Sequence, residues 1–142
     1  MSTHIFDYIG DSDRFGYGKY LCLEPIIDDR TKYINATKLC KRHDKNLDDW
    51  LTDDNTKELI EHWSNLNKHQ TPYYEIDTSD LKGLSKIKQY KVRGIYLHVD
   101  LFVMVAQWAS TTFASEVSGI MRNRWYLHLY IYTSIHLIIT SI

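Results

Sequence analysis

Residues 33–40 read Y-I-N-A-T-K-L-C, and two local signals meet there. Tyr33 and Ile34 are strand formers that follow the polar turn Asp28-Asp29-Arg30-Thr31. Asn35 is a helix-capping type, and Ala36, Lys38, Leu39, Lys41 and Arg42 favour helix. The stretch therefore predicts a strand running directly into a short helix over 36–43. Ala36, Leu39 and His43 follow three- and four-residue spacing and share one face. Lys38, Lys41, Arg42 and Lys45 make the rest of the segment basic.

Upstream, residues 1–14 are mixed and turn-rich, with Asp11-Ser12-Asp13 reading as loop, and predict a flexible N-terminal arm. Residues 17–23 alternate imperfectly and predict a strand that Glu24-Pro25 ends; Ile26-Ile27 resumes it. With Tyr33-Ile34, these pieces predict a small antiparallel sheet ahead of the first helix.

Downstream, Leu47, Trp50 and Leu51, then Leu59, Ile60, Trp63 and Leu66, repeat at helical spacing. Asp53-Asp54-Asn55 interrupts them, and Asn55 stands three residues before Glu58, as in a capping box. Two helices follow, 46–52 and 55–67, joined by a tight turn in a helix-turn-helix-like element. Tyr73 to Ile76 predicts a strand. Residues 86–91 alternate Lys86, Lys88 and Tyr90 with Ile87, Gln89 and Lys91, so a hairpin or ribbon is expected over 73–97. Asp100 is expected to cap an apolar helix with Leu101, Phe102, Val105, Ala106 and Trp108 inward. A further helix is expected over 113–122, with Phe113, Val117, Ile120 and Met121 inward. Trp50, Trp63 and Trp108 read as core anchors.

The last stretch is uncharged from Trp125 to Ile142. Its odd positions are mostly aliphatic and its even positions Tyr, His and Ser, which is the strand period, although the run exceeds an ordinary strand. As an 18-residue helix it would span about 27 Å, marginal for a bilayer. Two His, several Ser/Thr and heavy β-branching weigh against a membrane anchor.

A chain of 142 residues bounds the fold to one domain with at most a short appendage. The net charge of −1 does not announce a nucleic-acid binder, so any such case rests on local asymmetry. Cys22 and Cys40 are too far apart in sequence for a metal pattern and read as buried reduced thiols. The first ten residues have no signal-peptide pattern.

Local asymmetry is present. Lys82, Lys86, Lys88, Lys91 and Arg93 fall within twelve residues that contain no acid, with Tyr90 among them. In an extended ribbon Lys86 and Lys88 would share a face and could lie along a phosphate backbone. The alternative is a solvated edge strand whose charge discourages aggregation. A second patch, Lys38, Lys41, Arg42, His43 and Lys45, stands on a helix whose N-terminus could hold a phosphate, although Asp44, Asp48 and Asp49 dilute it. The helix at 55–67 carries Asn65 and Lys68 but also Glu58 and Glu61, which repel phosphate. Arg122 and Arg124 offer a further contact. Tyr73, Tyr74, Tyr90 and Tyr96 could stack on bases of a single strand. The seven histidines show no H-E-x-x-H pattern, and His98 reads as a satisfied structural residue. A metal site from His62, His69, Glu58 and Glu61, of nuclease type, is the weakest reading.

I-N-A-T-K-L-C with Trp50-Leu51 resembles the KilA-N domain of large DNA viruses and phages, itself related to the APSES DNA-binding domain. A second block, Gly94 to His98 through Trp108 to Phe113-Ala114, is similar to the second half of that domain. The departure is Val99, where relatives tend to have proline. The resemblance covers residues 15–126 and leaves 127–142 as an apolar tail. Poxvirus relatives often continue into a RING module; nothing here resembles RING, since no cysteine follows Cys40. The tail fits a truncated or frame-disrupted version of a longer protein.

The expected fold is α+β: a small antiparallel sheet, a helical cluster with a helix-turn-helix-like element, and a basic wing-like ribbon. The resemblance implies a non-catalytic nucleic-acid-binding module for duplex DNA, with single-stranded DNA or RNA as alternatives. The expected contacts are Lys38, Lys41, Arg42, Lys82, Lys86, Lys88, Lys91 and Arg93. No cofactor, metal or small-molecule substrate is expected. The expected location is the host cytoplasm, with viral replication sites as the narrower one. The competing expectation is a protein-interaction module, a substrate-docking remnant of a ubiquitin-ligase-type protein, with host or viral proteins as partners.

Overall fold

The computed structural model describes residues 5–10 and 13–141. The first four residues of the expected arm, Asp11-Ser12 of the expected loop, and Ile142 lie outside the described residues. The chain runs β1 (Ile5–Tyr8), β2 (Phe15–Gly18), β3 (Ile26–Asp28), β4 (Ile34–Asn35), α1 (Ala36–Arg42), α2 (Leu47–Leu51) and α3 (Asp54–Leu66). It continues through β5 (Tyr73–Ile76), a 3-10 turn at Thr78–Asp80, α4 (Lys86–Val92), β6 (Gly94–Leu97), α5 (Val99–Ala109) and α6 (Thr111–Thr140). This is an α+β fold on one antiparallel sheet of order β1-β2-β3-β4-β6-β5.

Strand alternation gives the sheet two apolar faces. Ile27, Ile34 and Leu97 pack on one side with Leu39, Phe102, Val105 and Phe113. Their neighbours Ile26 and Tyr96 point the other way, onto Phe15, Ile76, Leu81 and Val92. Helices α1, α3 and α5 therefore cover one face and α4 the other. At the end of β3 lies Asp28, fully buried. Its carboxylate accepts from Arg14 Nε and Nη2 at 3.0 and 2.8 Å, from the Tyr74 hydroxyl at 2.7 Å and from the Arg30 backbone at 3.2 Å. Four donors leave neither oxygen of this buried carboxylate without a hydrogen bond.

The strand-to-helix turn at 33–40 forms as its residues dictate, with Asn35 capping α1 and Ala36, Leu39 and Cys40 buried. Elsewhere local chemistry moved the boundaries. Ile5–Tyr8, expected in the arm, pairs with β2 as an edge strand. The strand expected over 17–23 stops at Gly18, because Tyr20 and Leu23 bridge across a tight turn with Leu21 at φ 55°. That turn leaves Cys22 exposed; only Cys40 is the expected buried thiol, pushed up to about 11 by burial. Asp53, not Asn55, caps α3, accepting from the Asn55 and Thr56 backbones. His98 rather than Asp100 caps α5, its Nδ1 accepting from the Asp100 backbone at 3.1 Å. Asp100 instead accepts from the indole of buried Trp63 at 2.9 Å.

One larger expectation is overturned, and the conformation of the tail, which its sequence left open, is defined. Residues 86–92 are a helix, so the basic wing-like ribbon does not exist in that form. The alternation that suggested a strand was of polar side chains, with no apolar side to bury; Ile87 is 73% exposed. The tail is also helical: α6 runs unbroken for 30 residues. Its period-two pattern had no neighbouring strand to pair with among the described residues, and a helix satisfies its own backbone. Of the side chains expected inward on it, Phe113 is buried, whereas Ile120 and Met121 are exposed. Among the described residues no helix is long and apolar enough to cross a membrane.

Candidate nucleic-acid interface

The junction of α1 and α4 begins at Asn35. Its side-chain oxygen accepts from the Lys38 backbone at 2.9 Å, closing the first turn of α1. Its Nδ2 donates to the Val92 and Arg93 carbonyls at 3.2 Å each, closing the last turn of α4. One buried amide thus ends one helix and starts the other. At the N-terminus of α1 this cap satisfies the Lys38 N–H.

Four further bonds fix α4. Ser85 caps it through the Lys88 backbone. Gln89 Nε2 donates to the Leu81 and Leu84 carbonyls at 3.1 and 2.9 Å. The Tyr96 hydroxyl donates to the Val92 carbonyl. Gly94 follows with φ +141°, and a Cβ there would stand 2.8 Å from Thr37 Cβ. Only a residue without a side chain lets β6 pass this close to α1, where Thr37 Oγ1 accepts from the Ile95 backbone at 2.9 Å.

This geometry gathers cations around one ring. Lys38 Nζ lies 4.0 Å from the Tyr90 centroid, Arg93 Cζ 4.8 Å and Lys41 Nζ 5.1 Å, and Lys41 donates to the Tyr90 hydroxyl. The ring quadrupole offsets part of the mutual repulsion of these charges. None of the three forms an ion pair among the described residues. Their effect is visible on the ring itself. The hydrogen bond from Lys41, then the charges of Lys41 and Lys38, hold the Tyr90 phenol below the usual tyrosine value. Burial lowers Lys38, and Lys41 and Arg93 add to that.

Lys38, Lys41 and Tyr90 form a wall shared by two clefts. The larger, about 580 Å³, lies between α1, the start of α2, the end of β5 and the α4–β6 junction, and includes Arg93 and Lys45. The smaller, about 330 Å³, adds Tyr17, Arg42 and Lys91. Arg42 lies over the Tyr17 ring at 5.8 Å and donates to the Glu24 carbonyl.

Of the expected contacts, the structure brings together Lys38, Lys41 and Arg93, with Arg42 and Lys91 beside them. Lys82, Lys86 and Lys88 line neither cleft. Lys88 lies over the turn after β1, where a Cβ on Gly10 would come within 2.6 Å of its Cδ. Lys86 and Lys88, expected to point together, are separated by two helical steps and diverge. Sequence reading missed Tyr17 and undervalued Tyr90, whose one visible signal was its place inside the run K-Q-Y-K-V-R. Tyr96 is buried and Tyr74 is stacked between Tyr33 and Tyr96, so neither offers a free ring. Trp50 and Trp63 are the expected core anchors, but Trp108 is 38% exposed under Lys45 Nζ at 5.1 Å. His98 packs on Trp63 and Tyr33, a structural setting. Arg122 and Arg124 stand exposed on α6, away from both clefts. Among the described residues no three His, Cys, Asp or Glu side chains group to hold a metal ion, so His62, His69, Glu58 and Glu61 make no such site.

No solved structure matches the chain. Among known proteins, it is 29% identical over 100 residues to the uncharacterized protein FPV248 of fowlpox virus (strain NVSL), covering 69% of this chain and 63% of that one. It is 31% identical over 110 residues to the KilA-N domain-containing protein 315L of invertebrate iridescent virus 6, covering 77% and 44%. It is 32% identical over 119 residues to the KilA-N domain-containing protein R878 of Acanthamoeba polyphaga mimivirus, covering 80% and 32%. The chain thus spans less than two thirds of the length of each. The KilA-N domain matches residues 18–124, which hold all of the α1–α4 junction and end where the uncharged part of α6 begins. On that match and these relatives, the chain belongs to the KilA-N domain family of large DNA viruses.

Proposed function

We propose that the chain is a non-catalytic nucleic-acid-binding module that engages duplex DNA with the face formed by α1 and α4. The observation that carries this reading is the cluster of Lys38, Lys41 and Arg93 around Tyr90, held by a ring instead of by carboxylates. Cations already paired with acids would have to break those pairs to meet phosphate; these do not. Arg42 and Lys91 extend the same positive surface. With three or four phosphates neutralised, log affinity should fall against log salt with a slope of about −3 to −4.

The test is fluorescence anisotropy of a labelled duplex between about 50 and 200 mM salt. Lys38→Glu with Lys41→Glu should weaken binding at least about tenfold and flatten the salt slope by about two. Binding with no salt dependence, or a double variant that binds as the parent does, would overturn the assignment. One observation favours a second reading, a protein-interaction module: from Ile120 onward α6 presents exposed Trp125, Leu127, Ile131 and Ile138 with no cover among the described residues. Chain that binds no nucleic acid at low salt would move the weight there.

A further inference from the structure

The larger cleft carries charges of both signs, and a bare phosphate backbone does not need that. Its cations are Lys38, Lys41 and Arg93, gathered at the Tyr90 wall, and Lys45, whose Nζ lies over the Trp108 ring. Its other elements contribute Asp48, at the start of α2, and Glu75, on β5. Both carboxylates are exposed, and neither forms an ion pair or a side-chain hydrogen bond among the described residues. Asp77 also lines the cleft, with its Oδ1 accepting from the Ser79 backbone and hydroxyl. Between the charged parts lie the buried Leu47 and Ile76 and the half-buried Ile95.

Asp48 and Glu75 would repel a duplex backbone, so for a plain phosphate surface they are a defect. They suit a ligand with an anion at one end, a flat apolar body, and hydrogen-bond donors at the other. A nucleotide with an amino-bearing base has this polarity. Carboxylates accept from such amino groups. In a paired duplex the base edge is engaged by its partner, whereas an extruded base presents it freely. A volume of about 580 Å³ falls inside the size range of small-ligand sites.

We infer that this cleft receives one unpaired nucleotide of the bound strand, its phosphate at Lys38, Lys41 and Arg93 and the amino group of its base at Asp48 and Glu75. The inference rests on the nucleic-acid reading of the same face and adds a preference to it. The wall shared with the second cleft places cations where the backbone enters and leaves, so the extruded base needs no break in phosphate contact. Cytosine, adenine and guanine fit; thymine, which lacks an exocyclic amine, fits poorly.

The experiment compares three labelled duplexes of one sequence: fully paired, with a single bulged cytosine, and with a single bulged thymine. The bulged cytosine should bind at least about fivefold tighter than either of the others. Asp48→Asn with Glu75→Gln, which keeps size while removing the charged acceptors, should bring that ratio to about one. Circular dichroism checks that the variant is folded. Equal binding of all three duplexes by the parent chain would overturn the base site and leave the duplex reading standing. A preference that survives the double substitution would also overturn it. Failure to bind any of the three at low salt would remove the underlying reading itself.

Discussion

Helices α1 and α4 are of equal length, both basic, and they meet at Asn35 and Tyr90, yet they are held in opposite ways. Each has seven residues. In α1, Ala36, Leu39 and Cys40 are buried at helical spacing, so packing fixes the helix. In α4 only Val92 is buried, and Ile87 points to solvent. Its hold is a set of hydrogen bonds: Asn35, Gln89 and Tyr96 side chains reach backbone carbonyls at or beside its ends. An isolated seven-residue helix is not stable in water. The lesson is that α1 brings its own anchor, whereas α4 borrows one from residues up to 58 positions away.

The largest effect expected from this contrast is at Asn35. Replacing it by Ala removes the α1 cap and takes one of two side-chain donors from the Val92 carbonyl and the side-chain donor from the Arg93 carbonyl, all in a site 1% exposed. The expected cost is about 3 kcal/mol in urea or thermal unfolding. Asn35→Asp separates the two duties, because it keeps the cap acceptor and loses the donors to Val92 and Arg93. If α4 depends on the amide as described, Asp recovers little of the loss. Near-complete recovery by Asp would show that the cap alone matters and would break the contrast.

What could be read in the sequence follows the same division. The strand-to-helix turn at Asn35, the helices at α2, α3 and α5, and Trp63 in the core all rest on periodic burial or capping types, which are local. The helix at α4 does not. Its sequence alternates among polar side chains, and the residues that close it are remote, so period alone pointed to a strand. The same holds for α6, where alternation of aliphatic and aromatic side chains mimicked a strand although no neighbour among the described residues offers the hydrogen bonds a strand needs. At the candidate site, the basic residues of α1 were legible as a patch. That Arg93 would join them while Lys86 and Lys88 would not depends on the turn of α4, and was not. Tyr90 illustrates the limit: as a ribbon residue it is one aromatic among lysines, but on a helix it becomes the point on which cations from two elements converge.

The next effect in size is at Gly94, where the two helices are brought together by backbone proximity. Gly94→Ala puts a Cβ within 2.8 Å of Thr37 Cβ and 3.0 Å of Thr37 Oγ1 at φ +141°. An expected loss of about 2 kcal/mol follows from the strained backbone and the overlap together. Because Thr37 lines the larger cleft, DNA affinity should fall as well once protein is refolded at low temperature. A variant as stable as the parent would mean that β6 and α1 have more freedom than the Thr37–Ile95 bond implies.

The smallest effect is a pH dependence that distinguishes Tyr90 as the centre of the charge cluster from Tyr90 as a bystander. Its phenol is held below the ordinary tyrosine value by the hydrogen bond from Lys41 and the charges of Lys41 and Lys38. Lys38 is likewise lowered, by its own burial first. At neutral pH the phenol is protonated and the ammonium charged, which is the state that attracts phosphate. As pH rises through the two lowered values, Tyr90 gains a negative charge and Lys38 loses a positive one, so both changes weaken DNA binding. Tyr90→Phe keeps the ring beneath the cations and removes the ionisable group. The variant should match the parent closely at neutral pH and hold its affinity further into the alkaline range, by roughly the worth of one phosphate contact. Anisotropy at constant ionic strength from neutral pH upward measures this. Superimposable profiles would mean that the Tyr90 charge does not reach the bound phosphates, and the interface would then be centred nearer Arg42 and Lys91, on the far side of the shared wall.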